Sequence, residues 1–74
     1  MKDIFINTEY IKLDQFLKLS DIISSGGEAR SFIAESNIYV NDEKEDRRGR
    51  KLRDGYIIKV NNDLYRIVQN GEKR

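Results

Sequence analysis

Residues 24–28, Ser-Ser-Gly-Gly-Glu, contain the clearest structural signal in this chain. Ser25 and Glu28 have the Ser-x-x-Glu spacing of a capping box, in which each of the two side chains satisfies a backbone N–H group of the first helical turn. The spacing therefore predicts a helix that begins at Gly26 and ends near Glu35.

The apolar residues that follow are spaced for one face of that helix. Ala29, Phe32 and Ile33 lie three and four residues apart, which predicts a buried stripe. Arg30 lies off this stripe and should face solvent or a ligand. Asn37 follows the helix, and because asparagine adopts the left-handed conformation almost as readily as glycine, we expect it to cap the helix there.

Another helix and a strand are predicted earlier in the chain. Leu13, Phe16 and Leu17 fall at positions i, i+3 and i+4, which indicates a helix over residues 13–20 with one apolar face. Residues 3–7, Asp-Ile-Phe-Ile-Asn, combine β-branched and aromatic side chains, which favours a short strand.

Three more strands are predicted downstream, at residues 38–40, 56–60 and 64–68. Turn-forming residues separate them, at Asn41-Asp42, Asp54-Gly55 and residues 61–63. The predicted fold class is α+β, with two short helices packed on one side of a small, mostly antiparallel sheet in the order β-α-α-β-loop-β-β. Residues 70–74 are predicted to form a polar tail.

Residues 42–53 form a highly charged loop, in which only Gly49 and Leu52 are uncharged. We expect no buried element here except Leu52, which should insert into the core and anchor the loop. The arginine-rich segment, residues 47–53, holds five bases in seven positions. Guanidinium groups match phosphate oxygens well, so the segment suits a nucleic-acid backbone. The alternative is a solvated loop whose bases pair with the acidic residues 42–46.

Composition excludes several function classes. The 74 residues include no Cys, His, Pro or Trp, so disulfides, thiolate metal sites and the usual general base are absent. A single domain of this size buries too little surface to support a deep catalytic cleft. The net charge of +1 conceals an asymmetry, because residues 1–46 carry −5 and residues 47–74 carry +6. We therefore expect a single binding domain, not an enzyme, with no cofactor and no small-molecule substrate.

Hydrophobic runs are short, reaching three residues at Ile4-Phe5-Ile6 and Tyr56-Ile57-Ile58. A membrane-spanning helix needs about 20 predominantly apolar residues. The N-terminal region also lacks the apolar core of a signal peptide. We expect a cytoplasmic protein with no membrane partner.

Six segments occur in an order that resembles a known family. They are Ile-Lys-Leu-Asp-Gln-Phe-Leu-Lys-Leu (11–19), Ser-Gly-Gly-Glu-Ala-Arg (25–30), Ile-Ala-Glu (33–35), Ile-Tyr-Val-Asn (38–41), Arg-Arg-Gly-Arg-Lys-Leu (47–52) and Asp-Gly (54–55). This arrangement resembles the αL-motif RNA-binding domain of the ribosomal-protein-S-four type, and most closely its small stand-alone YaaA/YbcJ-like members. The resemblance implies one RNA-binding domain over residues 1–74, with the core motif at about residues 8–60.

The resemblance also implies which residues contact RNA. Helix residues Lys18 and Arg30 would join a phosphate site at the start of the second helix and the bases of the arginine-rich segment. The implied RNA-binding residues are Lys18, Ser24, Ser25, Gly26, Gly27, Arg30, Arg47, Arg48, Arg50 and Lys51. Two positions depart from the family pattern, since Ser36 and Asp42 stand where glycine is usual.

The resulting prediction is a ribosome-associated, non-enzymatic protein that recognises structured RNA by its shape and phosphates. Ribosomal RNA, within a ribosomal subunit or an assembly intermediate, and tRNA are the expected partners. The helix pair would supply a rigid wall, and the arginine-rich segment would order on binding. A protein-interaction adaptor that uses the acidic half, or non-specific DNA binding, is the alternative. Among the tyrosines, Tyr39 is the favoured candidate for stacking on a base.

Overall fold

The computed structural model describes residues 1–70, so residues 71–74 of the predicted polar tail lie outside the described part. Ten short elements follow one another along the chain. They are β1 (Lys2–Ile6), β2 (Tyr10–Lys12), α1 (Leu13–Leu19), a 3-10 turn (Gly26–Glu28), α2 (Ala29–Glu35), β3 (Ile38–Val40), β4 (Glu43–Lys44), β5 (Lys51–Arg53), β6 (Ile57–Val60) and β7 (Asp63–Gln69).

The strands form two separate ladders. The larger sheet has five strands in the order β1-β7-β6-β3-β4, and only the β1–β7 pair in it is parallel. Strands β2 and β5 form an antiparallel ladder of their own. The predicted α+β class, with two helices and a mostly antiparallel sheet, is confirmed. Strands β2, β4 and β5 were not predicted, because each has only two or three residues and, unlike β3, includes charged residues that disfavour a strand.

The core lies where the two helices pack on the sheet. Leu13, Phe16 and Leu17 of α1 are fully buried, as the helical spacing predicted. The Phe16 ring meets the Tyr65 ring of β7 edge-on, with centroids 5.5 Å apart and planes at 83°. Each such buried side chain contributes about 1.5–3 kcal/mol of hydrophobic stabilisation, so α1 is held by packing although it has only seven residues.

Helix α1 ends in a turn that the sequence analysis did not predict. Asp21 adopts the left-handed conformation with φ 63°. Its N–H donates to the Lys18 carbonyl, and the N–H of Ile22 donates to the Leu17 carbonyl, each at 3.0 Å. This is the Schellman pattern of bonds, and it directs the chain from α1 toward the 3-10 turn.

The predicted left-handed cap at Asn37 is wrong. Helix α2 ends at Glu35, the C-cap residue Ser36 has an extended backbone at φ −116° and ψ 163°, and Asn37 does not have a positive φ. Asn37 instead bonds the β6–β7 hairpin, because its N–H donates to Asn61 Oδ1 at 3.1 Å. The Asn37 N–H, which would donate to a carbonyl of the last helical turn in a left-handed cap, thus donates to the side chain of Asn61 instead.

The other predicted turns are confirmed. Asn41 and Asp42 both have a positive φ, so they supply the left-handed turn at the position where Asp42 departs from the family glycine. Asn41 Oδ1 also accepts the N–H of Ile57 at 2.9 Å, which ties the turn to β6. Gly55 has φ 84° in the turn before β6, a conformation that glycine adopts without steric cost.

Neither helix within residues 1–70 has the length and hydrophobicity that are needed to cross a membrane.

Candidate nucleic-acid interface

The arginine-rich segment lies against the N-terminus of α1. The N–H of Leu13 donates to the Arg50 carbonyl at 2.9 Å, and the N–H of Asp14 donates to the Arg48 carbonyl at 3.1 Å. Free N–H groups of a helix start need acceptors, and here the backbone of the basic segment provides two of them. The segment is therefore attached to the helix by main-chain bonds, which leaves its side chains available for other contacts.

Glu45 lies beneath this segment, with only 4% of its surface exposed. Its carboxylate accepts hydrogen bonds from Arg47 Nε at 2.9 Å, Arg47 Nη2 at 3.0 Å and Arg50 Nη1 at 2.8 Å. The backbone N–H groups of Asp46 and Arg47 add two more, at 3.1 and 3.0 Å. Hydrogen bonding to Arg47, followed by the contacts with Arg50, lowers the pKa of Glu45 to about 2, against the opposing effect of burial.

A buried Glu45 contradicts the prediction that Leu52 is the one anchored residue of the charged loop. Leu52 is fully buried, as expected, but the carboxylate of Glu45 is a second anchor. A buried carboxylate is tolerated here because every oxygen is bonded to a guanidinium or an amide. With these anchors, the arginine-rich segment has a defined position against α1 and the core. That the segment orders on binding stays a prediction.

The arginines of the segment fall into different environments. The Arg50 side chain is 23% exposed and lies over the Tyr56 ring, with Cζ 5.9 Å from the centroid. Arg47 is 71% exposed although it pairs with Glu45. Arg48 is exposed and forms no ion pair within residues 1–70. Pairing with acidic neighbours, the alternative considered from the sequence, thus applies to Arg47 and Arg50 but not to Arg48.

Arg30 and Arg48 are brought together at one shallow groove, which also has Lys44 on its wall. Arg30 is exposed on α2 and, like Arg48, makes no ion pair with any described residue. Asp46 is the carboxylate in the lining, so three bases face one acid. Lys44 was not predicted as a site residue, because nothing in its local sequence distinguishes it from the other charges of the loop.

Lys18 reaches the start of the 3-10 turn from α1. A Cβ atom added to Gly26 would lie 3.9 Å from Lys18 Nζ, so the ammonium group and the Gly26 backbone are neighbours. Within residues 1–70 the amide N–H groups of Gly26 and Gly27 make no hydrogen bond. The structure therefore places Lys18 beside Gly26, the first of the two glycines that were predicted to share a phosphate site with it.

Hydrogen-bond donors of Ser24 and Ser25 are already bonded to the carboxylate of Glu28. Its Oε1 atom accepts from the Ser24 N–H and the Ser24 hydroxyl, both at 2.7 Å, and from the Ser25 N–H at 3.0 Å. The hydrogen bond from the Ser24 side chain is the main cause of a lowered pKa at Glu28. The predicted capping box of Ser25 and Glu28 is present, and its carboxylate already binds donors that were predicted to hold a phosphate.

Lys51 lies in the β2–β5 ladder and not in the groove of Arg30 and Arg48. Its Nζ atom is 4.9 Å from the centroid of the Tyr10 ring. Tyr39, the tyrosine favoured for stacking, is half-buried on β3 between the fully buried Ile38 and Val40, and Lys44 Nζ lies 5.9 Å from its ring.

Comparison with known proteins matches this chain to one family. The family described as S4 domain matches residues 4–68. The chain is also 53% identical over 57 residues to the probable ribosome maturation protein RlbA of Bacillus subtilis (strain 168). That alignment covers 77% of this chain and 80% of the relative. The family match confirms the resemblance that the six ordered segments indicated.

Proposed function

The chain belongs to the S4 domain family, and from that premise we propose that it is a non-enzymatic protein that binds structured RNA through the helix pair and the arginine-rich segment. The observation that supports this most directly is the shallow groove where Arg30, Lys44 and Arg48 face one acid, Asp46. These bases come from α2, β4 and the arginine-rich segment. Their convergence in space suits a run of phosphates on a folded RNA.

The contacts of the arginine-rich segment support a preformed binding surface. Two carbonyl groups of the segment bond the first turn of α1, and Glu45 holds Arg47 and Arg50 from beneath. Side chains that are already positioned lose less conformational entropy when they bind. We propose that Arg48 and Arg30 contact phosphates directly, that Arg47 presents its exposed edge, and that Arg50 mainly supports the segment.

The start of the 3-10 turn forms the other part of the proposed surface. Lys18 lies beside Gly26, whose free amide and that of Gly27 would give a phosphate oxygen N–H donors next to a positive charge. Ser24 and Ser25 join such a contact only if the Glu28 carboxylate releases them. Lys51 completes the proposed residue set from the neighbouring ladder.

Ribosomal RNA is the proposed target, in preference to tRNA, because the relative from Bacillus subtilis is called a probable ribosome maturation protein. A ribosomal subunit or an assembly intermediate in the cytoplasm would then be the partner. Recognition by backbone and shape is the common mode for base-paired RNA, whose deep major groove hides the base edges. The proposed RNA-binding unit is the whole chain, residues 1–74, with its core at about residues 8–60.

Sedimentation of a cell lysate through a sucrose gradient tests this proposal. The wild-type protein should migrate with ribosomal particles at low salt and be released at high salt. The Arg30→Glu/Arg48→Glu variant should stay at the top of the gradient, whereas a Lys2→Glu/Lys59→Glu control with the same charge change should migrate like the wild type. Wild-type protein that never leaves the top of the gradient would remove the ribosome as the target.

A binding assay with purified nucleic acids separates RNA recognition from simple attraction to phosphate. A labelled RNA stem–loop and a DNA hairpin of the same sequence are compared by fluorescence anisotropy. With about four to six phosphate contacts, the slope of log K against log salt should be about −0.7 to −0.9 per contact on the RNA. Equal affinity for the DNA hairpin would contradict recognition of RNA shape and favour non-specific binding.

A further inference from the structure

The outer face of the β2–β5 ladder carries three bases and one aromatic ring. Ile11 and Leu52, which are paired across the ladder, are buried with 9% and 0% exposure. Side chains alternate along a strand, so their neighbours point to the opposite face. This outer face therefore consists of Tyr10, Lys12, Lys51 and Arg53.

Tyr10 holds two of these bases close together. Lys51 Nζ lies 4.9 Å and Arg53 Cζ lies 5.4 Å from the centroid of the Tyr10 ring. Cations are attracted to the electron-rich face of an aromatic ring, which offsets part of the repulsion between them. Both positive charges thus lie within 5.4 Å of the same ring centroid.

The arrangement of charges is unfavourable for the ladder itself. Lys12 and Lys51 are directly opposite each other in the register, and like charges in that position destabilise a strand pair. Glu9 forms an ion pair with a base of this face, with its Oε2 atom 3.7 Å from Arg53 Nη1. Glu9 is 81% exposed, and an exposed pair at this distance contributes little. The concentration of positive charge is therefore not explained by the stability of the fold.

The face is continuous with the proposed RNA surface. One open groove is lined by Tyr10 and Lys12 of the ladder and by Gln15 and Lys18 of α1. Lys18 is also the residue that lies beside Gly26. The rest of the lining includes the exposed apolar side chains of Phe5 and Leu19. The groove thus connects the 3-10 turn to the ladder along α1 through a mixed polar and apolar lining.

We propose that the outer face of the β2–β5 ladder is a second contact surface for the phosphate backbone of the same RNA. Lys12, Lys51 and Arg53 contact phosphates, and Tyr10 is a positioning residue that holds Lys51 and Arg53 in place. This inference rests on the proposed RNA-binding function and adds Tyr10, Lys12 and Arg53 to its residues. An RNA that spans both surfaces is longer than one that fits the groove of Arg30 and Arg48 alone.

The test uses Lys12→Gln/Arg53→Gln, which leaves every residue of the first surface unchanged. Binding to a labelled RNA stem–loop with single-stranded flanks is measured by fluorescence anisotropy between about 50 and 200 mM KCl. Loss of two phosphate contacts should reduce the magnitude of the salt slope by about 1.4–1.8. The Lys2→Gln/Lys59→Gln control, with the same charge change on the larger sheet, should keep the wild-type slope. Thermal unfolding followed by circular dichroism checks that both variants fold.

Tyr10 provides a second readout that does not depend on net charge. Tyr10→Phe keeps the ring and should keep the wild-type affinity. Tyr10→Leu removes the ring and should weaken RNA binding by about two- to fivefold, the size of an exposed cation–π contact. Equal affinities for the two variants would show that the ring does not position the bases.

The outcomes separate this inference from the function on which it rests. One outcome refutes the second surface alone. In it, the wild type binds RNA, Arg30→Glu/Arg48→Glu abolishes binding, and Lys12→Gln/Arg53→Gln keeps the wild-type salt slope; the RNA-binding function then stands. If the wild type shows no salt-dependent binding to the RNA, both proposals fail. A single-site check with Lys12→Gln should lower the slope by about half as much as the double variant, and an unchanged slope there would contradict the contact at Lys12.

Discussion

Glu45 Oε1 and Arg50 Nη1 form an ion pair of 2.8 Å beneath the arginine-rich segment. The other carboxylate oxygen of Glu45, Oε2, accepts a hydrogen bond from Arg47 Nε at 2.9 Å, so one buried acid positions two of the bases that follow it. The segment is bonded through its main chain to α1 at Leu13 and Asp14. The acidic residue thus fixes the position of a basic surface instead of merely reducing its charge.

Replacement of this acid should weaken both the fold and RNA binding. Glu45→Gln leaves two guanidinium groups without their carboxylate, and the free energy of unfolding should fall by about 2–3 kcal/mol. Urea unfolding measures the change, with Glu43→Gln at an exposed position of β4 as the matched control. An unfolding free energy equal to that of the control would mean that Glu45 does not anchor the segment.

The pH dependence of stability should identify the same carboxylate. The folded-state pKa of Glu45, about 2, lies below the usual 4.5, so ionised Glu45 stabilises the fold fully above pH 4.5. That contribution is lost as the pH falls from 4.5 toward 2. The difference in unfolding free energy between the wild type and Glu45→Gln should therefore shrink across this window. A difference that stays constant down to about pH 2 would contradict the assignment.

Arg48 and Arg50 should respond differently to the same substitution. Arg50→Gln breaks the bond to buried Glu45 and should lower the free energy of unfolding by about 1–2 kcal/mol. Arg48→Gln should leave stability within about 0.5 kcal/mol of the wild type, since its exposed side chain makes no ion pair in the described part of the chain. It should instead reduce the RNA salt slope by about 0.7–0.9. Urea unfolding and fluorescence-anisotropy titrations of both variants measure the two effects. Equal unfolding free energies and equal RNA salt slopes for the two variants would contradict different roles for Arg48 and Arg50.

Glu28 should limit RNA binding at the 3-10 turn. Glu28→Ala removes a negative charge and frees the Ser24 hydroxyl and two amides, so the affinity for an RNA stem–loop should increase while the melting temperature falls. Glu35→Ala, at an exposed acid of α2, gives the same charge change and leaves the hydrogen bonds of Glu28 in place. If both variants bind RNA with equal affinity, Ser24 and Ser25 do not contact phosphate.

Leu52 should be the main apolar anchor of the arginine-rich segment. Its side chain is fully buried between two exposed bases, and Leu52→Ala should cost about 3 kcal/mol of unfolding free energy. Leu64→Ala, at a position 42% exposed, should change stability by less than about 0.5 kcal/mol. Chemical denaturation of the two variants provides the comparison. Similar values for both would place Leu52 outside the core.

The elements with a local pattern were predictable from the sequence. Leu13, Phe16 and Leu17 repeat at helical spacing, and the strands near residues 57–60 and 63–69 alternate, so their burial follows from the period of the backbone. The acceptor role of Glu28 followed from its spacing to Ser25. The cap at Asn37 was mispredicted because a distant side chain, Asn61, supplied the bond that a local turn would have made.

The predicted site residues depended on the family resemblance and on local charge, and local charge cannot distinguish their roles. Three arginines of the segment look alike in the sequence but differ in the structure. Arg47 is exposed and paired with Glu45, Arg48 is exposed without an ion pair among the described residues, and Arg50 is largely buried. No short-range pattern marks Tyr10, which is far from Lys51 and Arg53 in the chain and adjacent to them in the ladder.

Composition and spacing within a few residues were enough to predict the helix pair, the strands of the main hairpin, the buried Leu52 and the concentration of bases in residues 47–53. The burial of Glu45, the approach of Arg30 to Arg48 and the pairing of β2 with β5 follow from the folded chain alone. These relationships depend on contacts between residues distant in the chain. A buried carboxylate such as Glu45 is stable only where folding supplies enough hydrogen-bond donors, and these donors come together only in the tertiary structure.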